Sequence, residues 1–176
     1  MIRKACLEDF EAIKPLILSA ANCVFEDALA TKDTNKINDL LYLFYTNKNT
    51  KFCYKNIVVY TKDNVPIGCI IYYDSNVEEK LNNQMNKLIN NDYHFNIESL
   101  PNTVYLDTLA TNQAYTKQGI GSKLLNYCID NSDKSLSLLV DVNKEKAKHL
   151  YERLGFEVVK TLNIFNETFY QMIYKK

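Results

Sequence analysis

Two glycines one residue apart, Gly119 and Gly121, stand where a strand-like segment gives way to a helical one. Thr103 to Thr111 is rich in Val, Tyr, Leu and Thr, which predicts a strand; Ile120, Leu124, Leu125 and Ile129 then recur at helical spacing. Glycine at such an entry lets the backbone approach a ligand, and the first-turn N–H groups have no partner inside the helix. Those donors, with the positive end of the helix dipole, suit a phosphate. The same letters also serve an ordinary turn. Two other phosphate motifs fail on them: a dinucleotide fingerprint needs a third glycine where Leu124 stands, and a P-loop needs Lys directly after its last Gly, where Ser122 stands.

The next stretch repeats the strand-then-helix order. Ser135 to Val142 is a short apolar run with little alternation and reads as a buried strand. Asn143 is expected to cap a helix whose apolar stripe is Ala147, Leu150, Tyr151 and Leu154, with Gly155 ending it in a left-handed conformation. Taken alone, Asn143 is only a cap and Tyr151 only a core aromatic.

Together these features resemble the Gcn5-related N-acetyltransferase (GNAT) superfamily, most strongly over Val104 to Val158. The family's loop is Arg or Gln, two residues, Gly, one residue, then Gly or Ala; here it aligns as Thr116-Lys117-Gln118-Gly119-Ile120-Gly121. Asn143, Ala147, Tyr151 and Gly155-Phe156 also fall at the family's spacing. Thr116 departs from the pattern, and the charge-assisted contact absent there would be worth about 1.5–3 kcal/mol. Lys117 next door could replace part of it.

The resemblance implies an α/β fold, a mixed sheet with an inserted helix between the third and fourth strands. It implies transfer of an acetyl group from acetyl-CoA to a primary amine by direct attack in a ternary complex, with no metal. The implied cofactor contacts are Leu109 and Thr111 on the strand, the loop run Thr116, Lys117, Gln118, Gly119, Ile120, Gly121 and Ser122, then Asn143 and Tyr151. A backbone N–H near Leu109 would polarise the thioester carbonyl. Tyr151, a phenol neutral at pH 7, would protonate the leaving thiolate. Asn143 would hold the pantetheine arm or a nearby water. Asp107 is the first choice for handling the amine: strand alternation puts Tyr105, Asp107 and Leu109 on one face, toward the acceptor. An ordinary Asp is a weak base for an ammonium, so its expected role is attraction, with the proton passing through water.

The whole chain narrows the partners. At 176 residues it is read as one domain, 1–176. Lys+Arg and Asp+Glu balance at 21 each, with no long run of one sign, which argues against nucleic acid or an anionic membrane surface. No stretch reaches the length of a membrane span, and Glu8, Asp9 and Glu11 interrupt any leader-like apolar region. Five cysteines without CxxC spacing read as reduced, mostly buried thiols of a cytoplasmic protein, and two histidines give no metal case. A small-molecule amine is favoured over a protein as acceptor. A final edge strand could pair two subunits into a homodimer. Two alternatives are kept: a silent acyl-CoA sensor or interaction protein, and an acetyltransferase for protein N-termini or lysines.

The remaining elements follow from periodicity. Ile2 to Lys4 is a first strand, and Leu7 to about Leu29 a helix kinked or delayed by Pro15. Asp33 to about Phe44 is a second helix. Tyr54 to Thr61 and Val65 to Tyr73 form a strand pair turned at Lys62-Asp63-Asn64. Val77, Leu81, Met85 and Leu88 predict a helix inside an inserted segment of about 74–102, either cover for a sheet edge or a wall of the acceptor site. Phe156 to Asn163 and Thr168 to Tyr174 form the last pair, turned near Asn166.

Overall fold

In the computed structural model, which describes residues 1–164 and 167–176, seven strands form one mixed sheet with helices on both faces. The expected last turn at Asn166 lies outside the described residues. The strands are β1 (Ile2–Lys4), β2 (Ile57–Lys62), β3 (Val65–Asp74), β4 (Val104–Thr111), β5 (Leu136–Asp141), β6 (Glu157–Ile164) and β7 (Glu167–Tyr174). Their order is β1-β2-β3-β4-β5-β7-β6, antiparallel throughout except for the β4–β5 pair. The helices are α1 (Phe10–Leu29), α2 (Thr34–Thr46), α3 (Glu78–Ile89), α4 (Ile120–Asp130) and α5 (Glu145–Arg153).

Each face buries its own apolar cluster. On one, Ile13, Ile17 and Phe25 of α1, Leu41 and Phe44 of α2 and Met85 of α3 pack against Val59, Ile71 and Tyr105. On the other, Leu124, Leu125 and Cys128 of α4 pack against Val58, Leu106, Leu138 and Met172, with Leu150 and Tyr151 of α5 partly covered. The apolar positions of α1, α2 and α4 recur at three and four residues, which is why one stripe of each reaches the sheet. The β2–β3 hairpin turns where expected: Asp63 and Asn64 both adopt left-handed backbone, the conformation a tight two-residue hairpin demands.

Three local expectations are corrected. Pro15 lies inside α1, which starts at Phe10 after a 3-10 turn at Leu7–Asp9; the non-helical residue is Ala21 instead. Ser19, two residues earlier, donates to the Leu16 carbonyl at 2.7 Å, a back-bond of the kind that bends helices. Asn143 does not cap α5: the cap position is Lys144, and Asn143 folds back, donating its side-chain amide to Asp141 at 3.0 Å. The third correction concerns which way β4 faces.

Plain alternation would put Tyr105, Asp107 and Leu109 on one face. Tyr105 packs in the α1/α2 cluster, whereas Leu109 packs in the α4 cluster. The pairing explains it: Ile71 lies opposite Thr108 and Tyr72 opposite Leu106, so Asp107 is an extra, bulged residue. The bulge flips the phase of everything after it.

Candidate functional site: a split between two parallel strands

Strands β4 and β5 pair only from Val104–Leu106 to Leu136–Leu138. Past Leu106 they separate, and β4 runs on to Thr111 with partners on β3 alone among the described residues. The direction of its amides follows from two hydrogen bonds. The Val104 N–H donates toward β5, to Ser135 O at 2.9 Å; the Asn112 N–H donates to the other side, to Ile67 O at 2.8 Å. Counting back from Asn112 by twos turns the Ala110 amide toward β3 and leaves those of Leu109 and Thr111 facing the split. Without the bulge at Asp107 the phase would be reversed. The split therefore presents two backbone donors to an extended ligand.

The split leads to the glycine loop. Ile120, Gly121 and Ser122 open α4, and the first backbone bond back into the helix is Lys123 N to Gly119 O at 3.0 Å, so the three preceding amides lack intrahelical partners. Gly119 (φ 72°) and Lys117 (φ 62°) are both left-handed. Glycine adopts that conformation freely and lysine does not. Gly121 leaves room at the helix start: a Cβ there would only touch Leu109 and Leu150. Behind the loop, Gly68 of β3 lets α4 dock, since a Cβ on it would come within 2.7 Å of Ile120 Cγ2.

A cavity of about 420 Å³ runs along this edge, lined by Leu109 and Thr111, by the loop from Tyr115 to Ser122, and by Ala147, Leu150, Tyr151 and Arg153 of α5. It brings together the expected strand, loop and tyrosine residues; Asn143 and Gln118 are not among its lining residues. The Tyr151 hydroxyl makes no hydrogen bond among the described residues, and the ring packs edge-on against Phe156 at 5.9 Å. Burial pushes its pKa up to about 12, keeping it protonated and able to donate. Arg153 was missed in the sequence. It has no ion pair among the described residues, and it places a fixed positive charge on the cavity that Thr116 cannot supply. Thr116 spends its hydroxyl on the Gln113 carbonyl at 3.0 Å.

The other face of β4 carries a buried polar cluster, also missed apart from Asp107. Lys51 Nζ lies 3.3 Å from Asp107 Oδ2 and 3.8 Å from Glu98 Oε1. Tyr73 donates to Asp107 Oδ2 at 3.1 Å and Tyr105 to Glu98 Oε2 at 3.0 Å. Glu78, fully buried on the first turn of α3, accepts from the backbone N–H groups of Glu98 and Ser99, each at 3.1 Å. Burial pushes the Lys51 ammonium down, but Asp107, Glu98 and Glu78 outweigh it, and its pKa stands above the ordinary lysine value. Burial pushes Glu98 up, against the pull of Lys51. Burial and the same carboxylates hold Tyr73 and Tyr105 well above an ordinary phenol. These groups come from five separate segments and share no spacing, so no motif announces them.

A mixed sheet split between its central parallel strands, with free strand amides leading to free helix amides, is the architecture of an acyl-CoA-dependent N-acyltransferase. The chain belongs to the Acetyltransferase (GNAT) family, whose family model matches residues 24–156. It is similar along nearly its whole length to an N-acetyltransferase from Staphylococcus aureus Mu50, at 25% identity and a TM-score of 0.87, covering 99% of this chain and 100% of that one. A second crystallised acetyltransferase aligns at 26% identity and a TM-score of 0.83, covering 99% and 98%. Among curated sequences, N-alpha-acetyltransferase 50 of Danio rerio is 32% identical over 63 residues, 33% of this chain; the match spans 38% of that relative's length. Transfer of an acetyl group from acetyl-CoA is the activity of the family. Among the described residues no helix is long and apolar enough to cross a membrane, and no His, Cys, Asp and Glu cluster has the makings of a metal site.

Proposed function

We propose that the protein transfers the acetyl group of acetyl-CoA to a primary amine by direct attack within a ternary complex. The observation that carries this is the split itself: the Leu109 and Thr111 amides face it, and it opens onto the three free amides of α4. Acetyl-CoA supplies an activated acetyl thioester. The residues present fit it: strand amides for an amide-bearing arm, helix amides with Lys117 and Arg153 for a pyrophosphate, and a phenol between them.

In this reading the Leu109 N–H meets the thioester oxygen, where negative charge grows during attack. Tyr151 gives its proton to the departing sulfur. Asp107 acts through charge: with Lys51, Tyr73 and Thr108 on its oxygens it fixes the negative field beside the amine. Asn143, tied to Asp141 at the end of β5, reaches the arm of the cofactor only after releasing that bond.

A second reading concerns the acceptor. The match to N-alpha-acetyltransferase 50 favours the amino terminus of a polypeptide over a small-molecule amine. Calorimetric titration with acetyl-CoA, with CoA as comparison, tests the cofactor. Thiol release with a panel of small amines and a peptide bearing a free amino terminus tests the acceptor. Micromolar binding with amine-dependent thiol release is expected. Binding without release from any amine would leave a silent sensor, and no binding would remove the reading altogether.

A further inference from the structure

We propose that Glu98 is the catalytic carboxylate that takes the proton from the acceptor amine, and that the inserted segment is its mount. The inference rests on the acyl-transfer reading above and adds a residue, and a reason for the insertion, to it.

The insertion is built to hold one stretch of backbone. Glu78, Asn82 and Asn86 follow at four-residue spacing on α3, which puts them on one face of the helix. Each grips the returning chain: Glu78 the amides of Glu98 and Ser99, Asn82 the Asn96 carbonyl at 2.8 Å, and Asn86 the Phe95 amide at 2.8 Å. Glu98 is then fixed from the opposite side as well, since Gln171 of β7 donates to its carbonyl at 2.8 Å. Its carboxylate is aimed by the Tyr105 hydroxyl on one oxygen and Lys51 on the other. Two partners thus fix the Glu98 backbone and two its carboxylate. Such fixing suits a group that must meet a substrate at a set position.

Its location agrees. Tyr105 lies on β4 opposite Ser137 of β5, and Gln171 on β7 lies opposite Leu139 of β5. A residue touching both Tyr105 and Gln171 therefore sits across β5, at the level where β4 and β5 begin to part. Lys51 links it to Asp107, two residues from Leu109, or about 7 Å along the strand.

Asp107 and Glu98 differ in what they can still do. The Asp107 side chain is 7% exposed and its oxygens are taken by Tyr73, Lys51 and Thr108. The Glu98 side chain is 28% exposed, and among the described residues its Oε1 has only the 3.8 Å ion pair, too long for a hydrogen bond. Beside the Glu98 backbone, the buried Gln171 Oε1 has no partner among the described residues. The partly exposed Glu98 carboxylate can still accept at Oε1, and an ammonium brings several N–H groups. Phe95 and Phe52, with ring centroids 5.4 and 5.9 Å from the Lys51 ammonium, help hold that cation in place beside Glu98. Burial raises the Glu98 pKa against the pull of Lys51, which makes the carboxylate a stronger base than an ordinary one.

The step balances. One N–H bond of the ammonium breaks and its proton goes to a Glu98 oxygen, leaving the electron pair on nitrogen. That pair forms the C–N bond while the C–S bond breaks and sulfur takes the Tyr151 proton. The second proton lost by nitrogen returns through solvent to Tyr151, and Glu98 releases its own to solvent.

Glu98→Gln tests this with primary amines of graded basicity, followed by thiol release against pH. With a strongly basic amine the variant should lose roughly 100-fold or more in kcat/KM at pH 7, the usual scale of a lost general base. The loss should shrink at high pH, and also with an amine already neutral at pH 7. Acetyl-CoA affinity by calorimetry should not change, and Glu98→Asp should recover part of the rate. Carboxyl-carbon NMR, with the Glu98 signal identified by its absence from the Gln variant, should show titration above an ordinary glutamate. Equal rates for wild type and Glu98→Gln, or an equal loss with every amine at every pH, would overturn the role of Glu98 and leave acyl transfer standing. Wild-type protein that binds acetyl-CoA but acylates none of the amines would overturn both.

Discussion

In the proposed reading the two faces of β4 hold their ligands by different means. On the α4 side the grip is made of backbone: amides of Leu109, Thr111, Ile120, Gly121 and Ser122, left free by a bulge, a strand split and a helix start. On the α1/α2 side it is made of side chains, with Lys51, Glu78 and Asp107 buried together and Glu98 half-buried beside them. Backbone donors are indifferent to most substitutions and recognise what is constant in a cofactor. Side-chain clusters change with a single residue and recognise what varies between acceptors. On the proposed reading, backbone amides would make up for Thr116 on one side, while one lysine governs the other.

The sharpest way to break the contrast is Lys51→Met. It strips Lys51 from the buried Asp107 and Glu78 and the half-buried Glu98, and losing one partner of a buried pair costs about 3–5 kcal/mol. Thermal and urea denaturation at pH 7 should show that loss. The sign with pH is fixed: the wild-type contribution of Lys51, whose pKa is raised, is complete below the ordinary lysine value and lost above the raised one. In the variant the unpartnered carboxylates take up protons in the folded state, so its deficit should narrow as pH falls toward the carboxylate range. A constant deficit from pH 7 to 4 would mean that packing, not charge, was lost.

Tyr151→Phe comes next. It should cut kcat roughly 10–1000-fold, on the scale of general-acid losses, with acetyl-CoA affinity unchanged. A fully active variant would mean that water protonates the sulfur. Gly68→Ala should destabilise by about 1–3 kcal/mol, the usual cost of overpacking, because its Cβ meets Ile120 Cγ2 at 2.7 Å. Acetyl-CoA should bind more weakly too, because Ile120 carries the first free amide of α4; unchanged affinity would show that the loop shifts independently of β3. Lys117→Gly is the mildest. It relieves left-handed backbone at a non-glycine residue and should stabilise by up to about 1 kcal/mol. Calorimetry with CoA would then separate the lysine's charge from its conformation.

The same division decides what the sequence made legible. The cofactor side rests on glycines, a helix start and the Tyr151-to-Gly155 run, features that recur at short, fixed spacing, so strand, loop and helix could be placed from the letters. Gly155 is left-handed as expected, and α3 appears where Leu81 and Met85 predicted it. The proposed acceptor side joins positions 51, 78, 98, 107 and 171, whose adjacency exists only after folding. Asp107 was found because it stands near Leu109, but its bulge was not, since a bulge leaves no mark in a run of strand-forming residues. Arg153, two residues past Tyr151, was overlooked because an arginine in a last helical turn is ordinarily read as a helix-end charge.

The bulge at Asp107 has a consequence in time as well as in space. It leaves two amides without partners in the middle of a central strand, where exchange with solvent is ordinarily slowest. In deuterated buffer Leu109 and Thr111 should exchange fast while Ala110 between them exchanges slowly. The alternation should vanish when a cofactor arm docks as an extra strand, so that the order of deuteration along these three residues records whether the cleft is full.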